Sequence, residues 1–246
     1  MTNYLHKVLP PQYSHVNKVY CLLAATVFCA LPLCSTEAAA ENILKYDGTT
    51  NIHGNAKTWA AKNEYDGIDI RVTGVDGGYY TDTTEALVLN NQTLNVKGKG
   101  KFVSIINTAQ NKQIDNNGGI YAKGGSTVNF TDVDSIYIAA IAGKEGGNDS
   151  TVISAKDPGR DFKGYTNIVN ISGNTVQLIG SIDVMHSLGS VFFNRNARHT
   201  VNAALSGSDS FWYGSAIGET DERTTVNLSL ADGATWIFNS GKSTLN

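Results

Sequence analysis

Two acidic side chains lie two residues apart in Thr131-Asp132-Val133-Asp134, a spacing that puts both on one face of an extended strand. Such a pair is suited to hold a cation or to divide acid and base duties in a hydrolysis. Its ordinary role is as two solvated carboxylates at a turn, so Asp132 and Asp134 are retained as a candidate surface acid pair and not assigned catalysis. Asp157, Arg160 and Asp161 surround Pro158-Gly159, and Asp221-Glu222-Arg223 precede the last repeat; both groups read as solvated loop. The histidines beyond position 40 (His53, His186 and His199) are isolated and lack metal-ligand spacing. Neither a calcium-binding glycine nonapeptide nor a P-loop is present, and no Ser/His/Asp set is suggested by spacing. The expectation is therefore a protein that is not an enzyme, with no catalytic residue, cofactor or metal. Phe211-Trp212-Tyr213 and Trp236-Ile237-Phe238 begin nine residues after Asn202 and Asn227. They are expected in the core, with sugar stacking as the functional alternative.

The elements that must position these groups are repeats. Thr225-Val226-Asn227-Leu228 recurs as Thr93-Leu94-Asn95-Val96, Thr127-Val128-Asn129-Phe130, Ile168-Val169-Asn170-Ile171 and Thr200-Val201-Asn202-Ala203. The alternation is that of a strand with one buried face. A lone strand cannot bury its face, so five copies separated by 34, 41, 32 and 25 residues imply a stack. With the apolar neighbours pointing in, the asparagines point out, and their amides are expected to bond from one pass to the next. Passes averaging about 25 residues would give about eight, each rising about 4.8 Å.

Between the repeats, Ile68 to Val72 alternates as a strand, 135–142 is a strand with few polar positions, and Asn116-Asn117-Gly118-Gly119 reads as a corner. Residues 143–160 read as a loop leaving the stack, with a brief Thr-Val-Ile-Ser inside it. Residues 41–90 read as an N-terminal cap merging into the first passes, 41–54 polar and 57–61 a helical turn. Residues 91–246 carry the repeats, and 185–198 fits the pattern poorly, as a short helix or irregular arm.

The first forty residues are a separate object. Lys7 and Lys18 precede an apolar run at 19–34, followed by Ser35-Thr36-Glu37-Ala38-Ala39-Ala40. These are the parts of a cleavable signal peptide read by the Sec export machinery, with cleavage between Ala40 and Glu41. The competing reading is an anchor, but about sixteen apolar residues interrupted by Pro32 are short for a core of about 30 Å, so no membrane span is expected in the mature chain. Cys21, Cys29 and Cys34 all lie in this segment, so the mature chain has neither disulfide nor thiol. It keeps 17 basic and 21 acidic residues, a net charge of −4, which gives no footprint for nucleic acid. All 25 glycines and 22 of the 24 asparagines fall beyond position 40, where Pro158 is the only proline, a composition for short strands joined by tight turns.

Thr225-Val226-Asn227-Leu228 through Ala231-Asp232-Gly233-Ala234-Thr235-Trp236, then Ser243-Thr244-Leu245, resembles the repeat signature of bacterial autotransporter passenger domains. The resemblance covers 199–245 most specifically and the rest of the mature chain loosely. It implies an all-β, right-handed parallel β-helix of the pectin-lyase type, preceded by the signal peptide. It also implies a cell-surface or outer-membrane destination with a structural or adhesin-like role, toward a glycan or protein on a host or neighbouring cell. The membrane β-barrel that ends such proteins is not in this sequence. The expectation is the N-terminal fragment of a longer passenger, which without a barrel would be periplasmic or secreted. Two other readings stand beside it, a polysaccharide-active β-helix enzyme and a free exported glycan-binding module.

Overall fold

A computed structural model describes residues 42–51, 63–76, 83–108, 116–141, 150–156, 164–184, 197–218 and 223–238. The expected signal peptide, the helical turn at 57–61 and nearly all of 185–198 lie outside the described residues. What is described is all-β, and its strands form two sheets in which every pairing is parallel. Parallel neighbours cannot be joined by a tight hairpin, so each strand pairs with one from a later pass of the chain.

Three columns of strands result. The first holds β4 (Thr93–Lys97), the opening halves of β7 (Thr127–Ala140) and β9 (Thr166–Ile179), then β11 (Arg198–Ser206) and β14 (Thr224–Ala231). The second holds β1 (Ile43–Asn51), β2 (Gly67–Asp76), β5 (Phe102–Asn107), the closing halves of β7 and β9, then β12 (Phe211–Gly214) and β15 (Thr235–Phe238). The third is the other sheet: β3 (Thr83–Asn90), β6 (Asn116–Lys123), β8 (Thr151–Ala155), β10 (Ser181–Asp183) and β13 (Ala216–Ile217).

Alternation fixes what each column buries. Leu94, Val128, Val169 and Val201 form an inward row of the first column, and Ile70, Ile105, Ile138 and Leu178 form one of the second. Leu87, Ile120, Ile153 and Ile182 form one of the third. All three rows belong to a single core cluster. Full burial of such a side chain contributes roughly 1.5–3 kcal/mol. A slip of one residue would turn every inward side chain out, so the register is held by the whole row at once.

The structure departs from the sequence reading in four places. Residues 43–51, read as polar and irregular, are strand β1. The expected corner at Asn116 to Gly119 is the start of β6. Thr-Val-Ile-Ser, read as an incident in a loop, is β8, with Val152 and Ile153 fully buried. First-column neighbours are 25 to 41 residues apart, so passes are longer and fewer than the estimate of about eight. Much of the third column hid because β8, β10 and β13 have only two to five residues and β6 opens on Asn-Asn-Gly-Gly, the composition of a turn.

The turn from first to second column repeats too. Gly98 follows the paired Lys97 and Asp132 follows Thr131, while Gly207 follows Ser206 and Asp232 follows Ala231. All four have left-handed φ, at 99°, 58°, 87° and 53°. Glycine adopts that region freely and Asp tolerates it, whereas a β-branched residue does not. Asp132→Gly is therefore expected to leave stability within about 0.5 kcal/mol and Asp132→Val to lower it by about 1–2 kcal/mol, read from urea unfolding.

Candidate functional site

The candidate acids sit on this corner. Phe130 pairs with Ile171 and Val133 with Gly173, so Thr131 and Asp132 together oppose Ser172, which is a bulge. Asp132 and Asp134 are both exposed, but the chain between them is not the continuous extended strand their spacing suggested. The Asp132 N–H donates to Ser172 Oγ at 3.2 Å. Asp134 Oδ2 accepts from the Gly100 N–H at 3.1 Å and its Oδ1 accepts from Asn174 Nδ2 at 3.4 Å. The Asp134 carboxylate thus ties the corner of one pass to those on either side. Among the described residues, no group of three or more His, Cys, Asp or Glu is arranged to hold a metal ion.

The asparagines form the continuous feature. Asn95, Asn129, Asn170, Asn202 and Asn227 are register partners in sequence. Asn129 Nδ2 donates to Asn95 Oδ1 at 2.9 Å, and Asn170 to Asn129, Asn202 to Asn170 and Asn227 to Asn202 each at 2.7 Å. The run ends on the backbone, where Asn95 Nδ2 donates to Asn63 O at 3.0 Å. Every bond points the same way. An amide offers two N–H groups and two lone pairs, so one of each per asparagine is left over from the ladder.

The ladder lines a shallow groove of about 310 Å³. Asn170, Asn202 and Asn227 form one side, and Thr131, Ser172, Ala204 and Ser229, two positions further along each strand, form the other. No charged residue lines it. The groove therefore offers neutral donors and acceptors repeating about every 4.8 Å, a surface suited to uncharged hydrogen-bonding partners.

Two further columns are built on the same register. Trp212 and Trp236 are paired, with rings 4.9 Å apart and 5° from parallel. Nine residues after the ladder asparagines stand Phe211 and Trp236, but the register partner of Trp236 is Trp212, because the corner at 206–210 is one residue longer than that at 231–234. Each indole N–H donates to a carbonyl one pass back, Trp212 to Gly180 O at 2.9 Å and Trp236 to Gly214 O at 3.0 Å. A Cβ at Gly214 would strike Gly180 O, so glycine is required for that close approach. Trp212 is buried, Trp236 is 38% exposed, and Phe238 stands edge-on to Trp236 on the same face.

The third polar column is one that sequence reasoning missed. Ser126, Asn167 and His199 are fully buried register neighbours at the start of the first column. Asn167 Oδ1 accepts from the N–H groups of Gly125 and Ser126, both at 3.0 Å, which orients its amide nitrogen toward His199 Nδ1 at 3.1 Å. Nδ1 is then the acceptor, and the proton of the neutral ring lies on Nε2. Aligning the repeats a residue or two further upstream would have found this row, since Gln92, Ser126, Asn167 and His199 are all polar there. Elsewhere, Lys156 Nζ meets Asp183 Oδ2 at 2.9 Å, and burial raises the pKa of the Tyr137 hydroxyl above the usual tyrosine value.

Comparison of the chain with known protein families, curated proteins and solved structures finds no match.

The ladder makes a graded prediction. Asn170→Ala removes two amide bonds in mid-run and is expected to cost about 1–2 kcal/mol, whereas Asn227→Ala removes one at the exposed end and should cost under about 1 kcal/mol. Equal losses in denaturant unfolding would mean that the amides do not act as a ladder.

Proposed function

We propose that this chain is an exported structural or adhesin-like module, a right-handed parallel β-helix of the autotransporter passenger kind, acting by binding and not by catalysis. The carrying observation is the five-asparagine ladder, which requires consecutive passes to stack in one parallel register over the whole first column. Three columns around one core support the solenoid reading. The right-handed sense follows the strong preference of parallel crossover connections. Engagement of Asp134 in joining corners favours a structural role for that residue over acid/base work.

On this reading the signal peptide delivers the chain to the Sec machinery. The mature domain then stands at the cell surface or outer membrane when joined to a barrel, and in the periplasm or medium when alone. Its ligand is a glycan or protein on a host or neighbouring cell, it has no cofactor, and the uncharged groove along the asparagines is the surface best suited to contact it.

The test is to offer the purified chain a glycan array, intact cells and acidic polysaccharides. Saturable binding without release of reducing ends is expected. Release of product from an acidic glycan, lost in Asp134→Asn, would replace this reading with that of a polysaccharide-active enzyme.

A further inference from the structure

The outward face of the third column holds a group of charges that the ladder and its groove do not use. Ile120, Ile153 and Ile182 point inward, so Tyr121, Ser154 and Asp183, which are register partners, point outward on β6, β8 and β10. Two residues on, Lys123 and Lys156 follow the paired and fully buried Ala122 and Ala155. The Lys156 N–H donates to Ala122 O, which carries the ladder past the end of β8. The two lysines therefore face out opposite each other on neighbouring passes. Like charges so placed are destabilising, in a chain whose formal net charge is −3.

The fold offsets only half of this pair. Lys156 Nζ meets Asp183 Oδ2 at 2.9 Å, whereas Lys123 has no carboxylate in ion-pair range among the described residues. Both ammonium groups gather on one ring, with Lys123 Nζ 5.1 Å and Lys156 Nζ 5.8 Å from the Tyr121 centroid. Between Tyr121 and Asp183 lies Ser154, 5% exposed, whose Oγ has no hydrogen-bond partner. A buried hydroxyl without a partner is costly. The group thus holds two positive charges, one negative charge and a hydroxyl in need of an acceptor.

We infer that Tyr121, Lys123, Ser154, Lys156 and Asp183 form a binding site for the carboxylate of an acidic sugar, on a different surface from the asparagine groove. The inference rests on the reading of the chain as a binding module and names a class of glycan for it. A carboxylate between Lys123 and Lys156 relieves their repulsion and accepts from the Ser154 hydroxyl. Lys156 has a flexible stem, with 34% of its side chain exposed, and is the part that shifts to admit the ligand. The Tyr121 ring keeps both Nζ groups at one point. Asp183 repels a compact dianion such as phosphate, and no arginine in the group supplies the bidentate fork that phosphate favours. The same carboxylate suits a ligand that carries hydroxyl groups beside its charge. A hexuronate has both, whereas an acidic peptide offers the charge without the hydroxyls.

The experiment titrates the purified chain by calorimetry with trigalacturonate, beside the methyl-esterified trimer, a glutamate peptide of equal charge and inorganic phosphate. Saturable binding of trigalacturonate is expected, with the other three each about tenfold weaker or more. Lys123→Met should weaken that binding about tenfold with the circular dichroism spectrum unchanged, and Lys123→Arg should largely keep it. Lys45→Met, an equal loss of charge on the exposed face of β1, should leave it unchanged. Ser154→Ala should weaken binding about threefold or more without loss of thermal stability, since it removes a hydroxyl that has no partner in the fold. An equal loss in Lys45→Met would mean general charge attraction and overturn the site, as would a peptide or phosphate that binds as tightly as the sugar. A chain that binds intact cells or neutral glycans but not trigalacturonate would overturn the site and leave the binding module standing.

Discussion

The structure depends on the parallel register between one pass of the chain and the next. Within the first column each strand meets its neighbour Asn to Asn, with Leu or Val beside it, at one offset per pair, and the second column keeps a parallel register of its own, shifted by one or two residues at the corner. Because side chains alternate, that one offset decides both what is buried and what is displayed. The inward rows of Leu, Val and Ile supply the hydrophobic driving force, and the outward rows are left in line by consequence. The asparagine ladder is thus a product of the core register and also a check on it, since a slipped strand would carry its amide away from both neighbours.

Polar groups inside the stack obey the same rule. Ser126, Asn167 and His199 are buried where the first column begins, and a buried polar group without a partner is costly. Part of that requirement is met within the column, where the Asn167 carbonyl takes two backbone N–H groups and its amide nitrogen faces the imidazole. The tryptophans repeat the solution with different chemistry. Each buries or stacks its ring while its N–H reaches a carbonyl one pass away, and Gly214 keeps the approach of Trp212 to Gly180 O open. Corners are tied in the same direction by Asp134. Almost every polar contact that matters here runs between passes and not along the chain, so its partners are 22 to 42 residues apart in sequence.

That separation explains what the sequence could and could not reveal. The first column was legible because its strands share a four-residue pattern, and aligning on Asn227 recovers the true partners Asn202, Asn170, Asn129 and Asn95. Ile68 to Val72 was likewise visible by alternation, and it lies in β2 with Ile68, Ile70 and Val72 buried. The third column was not, because strands of two to five residues such as Ser181–Asp183 and Ala216–Ile217 are too short to show a period. Asp132 illustrates the limit at the candidate site. A spacing of two implies a shared face only if the chain is extended, and a left-handed φ at a bulge breaks that premise. Trp212 and Trp236 lie at different distances from Asn202 and Asn227 for a similar reason, since corner length varies from pass to pass and only the strand register is fixed.

The measurement that tests the central claim most directly is paired-cysteine oxidation between successive passes, in a background with Cys21, Cys29 and Cys34 replaced by Ser. Thr200 and Thr225 are parallel register partners on the outward face, within disulfide reach if the register is as described. The account predicts that Thr200→Cys/Thr225→Cys closes an intramolecular disulfide on mild oxidation, while Thr200→Cys/Ser229→Cys, four residues out of register, stays reduced. Closure of the second pair with the first left open would contradict the register on which the core, the ladder and the groove all rest.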